Sequence, residues 1–143
     1  MIEVKKITEE DIFSINRLLE SLNLVPYPDL GKILKDDGFI TLKAISNGEI
    51  IGGLIGRFSL DEGEIYDIFI SKKFQRKGVG GKLYGEFEYI LLKNGIRKVF
   101  LEVRESNLKA ISFYKKLGFV EGGRRKNYYK NPSEDALIFF KSL

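Results

Sequence analysis

Four consecutive segments between Glu64 and Val103 constrain the fold of this chain more than any others. The apolar stretch "EIYDIFI" is followed by "QRKGVGG" (Gln75–Gly81), by the amphipathic "KLYGEFEYILLKNG", and by a second apolar stretch, "KVFLEV". Val79, Leu83, Phe87, Ile90 and Leu91 recur at the spacing of one helical face, and Asn94-Gly95 supplies a left-handed stop. Strand, helix and strand in that order require a crossover, so the two apolar stretches are predicted to lie parallel and adjacent in one sheet. Glycines and basic residues sit where the first strand gives way to the helix. There the free N–H groups of a helix start can hold an anion.

The other segments fit around this unit. A strand over Ile2–Ile7 leads to a helix with Thr8 as N-cap and Glu9, Glu10 and Asp11 in its first turn. Ile12, Ile15, Leu18, Leu19 and Leu22 form its apolar face, and Pro26 and Pro28 end the pattern. A second short helix is expected over 29–35. Asn47-Gly48 between "FITLKAIS" and "EIIGGLIGRF" is a strong hairpin signal. Asp61-Glu62-Gly63 is expected to turn the chain again into "EIYDIFI", giving three antiparallel strands in sequence. Asn107 is placed to cap "LKAISFYKKL", whose apolar face is Ala110, Ile111, Tyr114 and Leu117, and Gly118-Phe119 fits its C-terminal cap. "DALIFF" is expected to close the sheet. The fold class is therefore α/β (α+β), with antiparallel strands first and a parallel pair at the crossover. A chain of 143 residues, 43% hydrophobic, suits one domain spanning 1–143.

Composition removes whole classes of chemistry. With no cysteine there is no disulfide, thiolate nucleophile or thiolate-bound metal, and with no histidine there is no Ser-His or Cys-His catalysis. An acid or base must be Asp, Glu, Lys, Tyr or a water they hold, and no metal is expected. The net charge of +4 is spread along the chain, unlike the one-sided charge of a nucleic-acid binder. No apolar run approaches a membrane span and the N-terminus has no signal-peptide pattern, so no membrane association and a cytoplasmic location are expected.

The glycine segment fails two phosphate motifs. A P-loop ending at Gly81-Lys82 would need glycine at position 76 and Ser or Thr at 83, where the chain has Arg76 and Leu83. A dinucleotide fingerprint would need a third glycine, again at 83. What remains is Gln75-Arg76-x-Gly78-x-Gly80, with Gly81 next. On the segment alone, an anion site and a plain tight turn are both open. A second block, Asn107-x-x-Ala110-x-x-x-Tyr114-x-x-x-Gly118-Phe119, stands in the expected order after it. The two blocks together resemble the GNAT family of acetyl-CoA-dependent N-acetyltransferases, over roughly Phe39 to the end of the chain. "LEVRESN", "RRKNYY" and "EDALI" are similar to its RimI/Ard1-type branch, which acetylates protein N-termini, RimI-type enzymes acting on a ribosomal protein's N-terminal alanine. Residues 1–38 match less well.

The resemblance implies a set of roles. Acetyl-CoA would lie along Ile68, Phe69 and Ile70 and over Arg76, Lys77, Gly78, Val79, Gly80 and Gly81, with Asn107 and Tyr114 as further contacts. Side chains at Gly78 or Gly80 would fill the pyrophosphate's space. Glu102 would be the base, with Glu64 its rival and Asp67 a third option, and Tyr114 the acid. Tyr27, Tyr128 and Tyr129 would line the groove for a protein or peptide N-terminus. The stretch Arg124, Arg125 and Lys126 would favour acidic peptides. An α-amine, with a pKa near ~8, asks less of a carboxylate base than a lysine amine near ~10.4. Without cysteine, direct attack is expected rather than an acyl-enzyme. A lysine or small-molecule acceptor is the enzymatic alternative, and an acyl-CoA-binding regulatory domain the non-enzymatic one; the assembly is expected to be a monomer or homodimer.

Overall fold

The computed structural model describes residues 1–143 and contains one seven-stranded sheet in the order β1-β2-β3-β4-β5-β7-β6. The strands are β1 (Ile2–Lys6), β2 (Phe39–Ser46), β3 (Glu49–Ser59), β4 (Glu62–Ile70), β5 (Lys98–Arg104), β6 (Val120–Tyr129) and β7 (Glu134–Ser142). The helices are α1 (Ile12–Ser21), α2 (Leu30–Leu34), α3 (Val79–Lys93) and α4 (Leu108–Lys116).

The local signals act as their chemistry requires. Asn47 and Gly48 have φ of 50° and 77°, so the β2–β3 hairpin uses the turn whose twist matches its strands. Gly95 ends α3 at φ 76°, and Phe119 N–H donates to Tyr114 O at 3.0 Å to close α4. Ahead of α1 the chain makes a 3-10 turn over Glu9–Asp11, where the Asp11 carboxylate accepts from Thr8 N–H at 2.8 Å.

The sheet is covered on both faces. Val79, Leu83, Phe87 and Leu91 of α3 are buried against β2 to β5 and α4. Each such side chain contributes about 1.5–3 kcal/mol relative to exposure. Ile15 and Leu19 of α1 and Leu30 of α2 pack on the other face, with Ile7, Ile55 and Phe69. Gly53 makes room there: a Cβ on it would stand 2.5 Å from the Phe69 ring.

Two expectations are corrected. The β3–β4 turn falls at Leu60-Asp61, with Leu60 at φ 57°, and Gly63 lies inside β4. Gly63 is needed for space rather than for the turn, since a Cβ there would be 2.8 Å from Leu91. The strand containing "DALIFF" does not end the sheet: β7 inserts between β5 and β6, antiparallel to both, and β6 forms the edge.

Candidate active site

The predicted parallel pair is present, and it is short. β4 and β5 are joined only from Glu62↔Lys98 to Ile65↔Leu101. β4 stays paired with β3 as far as Ile70, and β5 with β7 as far as Arg104. The inner edges beyond Ile65 and Leu101 therefore part while each strand keeps its outer neighbour. Ile68, Phe69 and Ile70 lie on this open edge, without β5 partners.

A bulge sets which way β4 presents its side chains. Ile55 of β3 faces Asp67, but Gly56 faces Ile65, so Tyr66 is an extra residue. Ile65, Ile68 and Ile70 consequently pack on the α3 side, while Phe69 packs on the α1–α2 side. Asp67 faces the same side as Phe69 and accepts a short hydrogen bond from the Tyr27 hydroxyl. Tyr27 is itself clamped by Asn16, whose side chain accepts from Tyr27 N–H at 2.8 Å and donates to Tyr27 O at 3.2 Å. The loop between α1 and α2 is thereby fastened to β4 at the opening. Burial raises both the Asp67 and the Tyr27 pKa, and the Asp67 charge raises that of Tyr27 further. The sequence signal for this pair was a carboxylate inside an apolar strand, which requires a partner when buried.

At the mouth of the opening lies the start of α3. Its first backbone hydrogen bond runs from Lys82 N–H to Gly78 O at 3.2 Å, so the N–H groups of Val79, Gly80 and Gly81 have no backbone acceptor. Arg76 and Gly78 take left-handed φ of 63° and 82°. Gln75 ties the segment down: its Nε2 donates to Ile70 O at 2.9 Å, and its Oε1 accepts from Lys109 Nζ at 2.7 Å. The glycines do not all serve one purpose. Gly78 is required by its backbone. A Cβ on Gly80 would meet the Phe113 ring at 2.9 Å, so its smallness lets α3 and α4 approach, a reason different from the one expected. Gly81 has nothing within 4 Å of an added Cβ.

From α4, Tyr114 is 8% exposed, its ring edge-on to Phe113 and Phe119 at 5.3 and 5.7 Å. Its hydroxyl makes no hydrogen bond within the chain. Burial, and then the Asp67 charge, raise its pKa well above that of a free phenol. Asn107 Oδ1 accepts from Ala110 N–H at 3.1 Å, which fills its capping role and leaves Nδ2 uncommitted.

The carboxylates of Glu64 and Glu102 stand on neighbouring strands beside the parting. Glu64 opposes Phe100 within the paired region, while Glu102 is the first β5 residue beyond it. Burial, and then the Glu102 charge, raise the Glu64 pKa. Glu64 also lines a pocket of about 200 Å³ with Arg57, Asp61 and Phe100. Glu102 is reached across β7 by a side chain of β6, a strand that the sequence pattern did not reveal. Burial, and then the Glu102 charge, raise the Tyr129 pKa, and the Arg104 guanidinium lies 4.3 Å from the Tyr129 ring centroid. Tyr128 packs edge-on to Tyr129 at 5.1 Å and is about half exposed. The basic stretch on this strand is largely neutralised: Arg124 pairs with Glu105 and Asp135, and Arg125 with Glu102. That removes the ground for a preference for acidic peptides.

Two strands that part beside a helix start with free donors suit an extended amide chain ending in phosphates. Carboxylates stand on both of the parting strands, and the chain holds no thiol or imidazole. The chain belongs to the acetyltransferase (GNAT) family, whose model matches residues 9–119, and it is an N-acetyltransferase. It is 36% identical over 140 residues to the [ribosomal protein bS18]-alanine N-acetyltransferase of Haemophilus influenzae, covering 94% of each chain. The crystal structure of the ribosomal-protein-S18-alanine N-acetyltransferase from Escherichia coli superposes with a TM-score of 0.87 at 27% identity, covering 99% of this chain and 94% of that one. The structure of Ard1 from Thermoplasma volcanium gives a TM-score of 0.88 at 26% identity, covering 99% and 97%. No helix is long and apolar enough to cross a membrane.

Proposed function

We propose that the chain transfers the acetyl group of acetyl-CoA to a protein N-terminal α-amine, the alanine of a ribosomal protein being the first candidate. The observation that carries this reading is Glu102, which stands one residue past the last β4–β5 pair and close enough to Tyr129 for its charge to raise that phenol's pKa. The similarity to bS18-alanine acetyltransferases along nearly the whole chain supports it. The donor brings an activated thioester. The open edge of Ile68, Phe69 and Ile70 holds its amide arm, and the start of α3 its pyrophosphate, with Arg76, Lys77 and Lys82 adding positive charge. Glu102 takes the proton of the acceptor amine, directly or through a water. The amine nitrogen bonds to the acetyl carbon as the carbon–sulfur bond breaks, and Tyr114 Oη gives its proton to the departing sulfur. The raised pKa of Tyr114 keeps that proton in place until the thiolate forms.

Gly81→Asp tests the donor site without disturbing the packing. The helix tolerates a side chain there, whereas Gly80→Asp would strike Phe113. A carboxylate facing the pyrophosphate lowers acetyl-CoA affinity by at least about tenfold, since like-charge juxtaposition is costly. Calorimetry reads this directly; unchanged affinity moves the pyrophosphate elsewhere.

The acceptor is tested by competition. Peptides beginning with Ala, Ser or Met are offered against spermidine and against an N-terminally blocked lysine peptide. Free N-termini are expected to win on kcat/KM, and Tyr129→Ala to raise KM for the peptide while leaving that for acetyl-CoA unchanged. A better rate with spermidine or the blocked peptide rejects the N-terminal reading.

A further inference from the structure

Glu102 is already approached by a cation that belongs to the protein. Arg125 Nε on β6 stands 2.6 Å from Glu102 Oε2. The contact supplies charge without a directed hydrogen bond, for Oε2 is buried and has no donor aligned to it. The two partners are unequally fixed: the Glu102 side chain is 16% exposed and that of Arg125 is 56% exposed.

The other charges around Glu102 do not compete for this position. Arg104 pairs with Glu134 at 3.1 Å and stacks on Tyr129. Arg57 lies over the Phe39 ring and acts on Glu64 and Tyr66. Glu64 has the same sign as Glu102. Arg125 has no carboxylate partner except Glu102, and its guanidinium lies 5.6 Å from the Tyr128 ring centroid, a second surface on which it can rest.

We infer that Arg125 holds, in the acceptor-free enzyme, the place on Glu102 that the acceptor's ammonium takes, so that acceptor binding exchanges one cation for another. The inference rests on the reading of Glu102 as the group that receives the amine. An ammonium carries the same charge as the guanidinium and three N–H donors free to rotate. It therefore satisfies Oε2, as Arg125 does not, and the exchange favours the acceptor. Arg125 becomes a specificity device: a molecule without a cationic amine does not displace it. Because the Arg125 side of the pair is half-exposed, its competition is modest, worth about two- to fivefold in apparent affinity.

Arg125→Gln in the full chain tests this, with a peptide beginning with Ala as acceptor and CoA release as the readout. The peptide KM falls about two- to fivefold and kcat/KM rises. Guanidinium chloride at tens of millimolar, against equal sodium chloride, then raises the peptide KM of the variant more than that of the wild type. A KM that is unchanged, or that rises as kcat falls, overturns the inference and makes Arg125 a support for Glu102. A KM in the variant that does not respond to guanidinium overturns it too. The underlying reading fails separately: if Glu102→Gln keeps its turnover, Glu102 is not the receiving group. If Glu102→Gln loses turnover while Arg125→Gln keeps its KM, only the exchange is wrong. Arg125 is solvent-facing, so the variant is expected to fold, and its thermal melting is the control.

Discussion

Glu102→Gln lowers kcat by about 10²–10⁴ and leaves acetyl-CoA affinity near the wild-type value. The size is that of losing general-base help at the amine. The amide keeps the shape of the carboxylate but accepts no proton from the substrate. Three carboxylates lie near the parting of the strands, and the structure separates them. Asp67 is buried and bound by the Tyr27 hydroxyl. Glu64 sits where β4 and β5 are still joined and faces its own pocket. Glu102 alone stands immediately past the last joined position, with its charge felt by Tyr129. Glu64→Gln is the paired measurement and is expected to cost far less. Glu64 is nonetheless a genuine rival, because its raised pKa favours proton uptake. If Glu64→Gln abolishes turnover while Glu102→Gln remains near wild type, the base is Glu64 and the amine lies deeper in the sheet.

Tyr114→Phe lowers kcat by a similar factor, about 10²–10⁴, through loss of the acid. The substitution removes one oxygen and keeps the ring, so the edge contacts with Phe113 and Phe119 survive and thermal stability changes little. Nothing in the chain hydrogen-bonds the hydroxyl, so no internal partner is orphaned. A mechanism-specific check uses the leaving group. An acetyl thioester of a more acidic thiol needs less protonation as it departs, so Tyr114→Phe is expected to lose much less rate with that donor than with acetyl-CoA. An equal loss with both donors makes Tyr114 a positioning group, and no loss leaves it as core packing alone.

The parts of this design that are legible in the sequence are those governed by local chemistry. The Asn47-Gly48 turn, the Gly95 stop, the Asn107 cap and the crossover between β4 and β5 each follow from residues close together in the chain. What escapes is set by distant partners. β6 reads "VEGGRRKNYY", a run without apolar alternation, and it is a strand because β7 pairs with it at the sheet's edge. The order β5-β7-β6 leaves no mark in the spacing of the segments. Tyr27 and Asp67 are forty residues apart, and Arg125 meets Glu102 only because β6 and β5 flank the same strand, β7. The glycines show the same division: Gly78 is needed for its own backbone angle, but Gly80 is needed by a ring on another helix.

The position of β7 also has a consequence for what holds the edge of the sheet in place. β6 pairs with no strand but β7, and β7 is made after it. The strands β1 to β5 are joined to one another without β7 or β6. The strand that bears Arg125, Tyr128 and Tyr129 has no partner in the sheet but Glu134–Ser142. The edge that bears Arg125, Tyr128 and Tyr129 thus has β7 as its only main-chain anchor, and a change that loosens β7 from β5 detaches all three together.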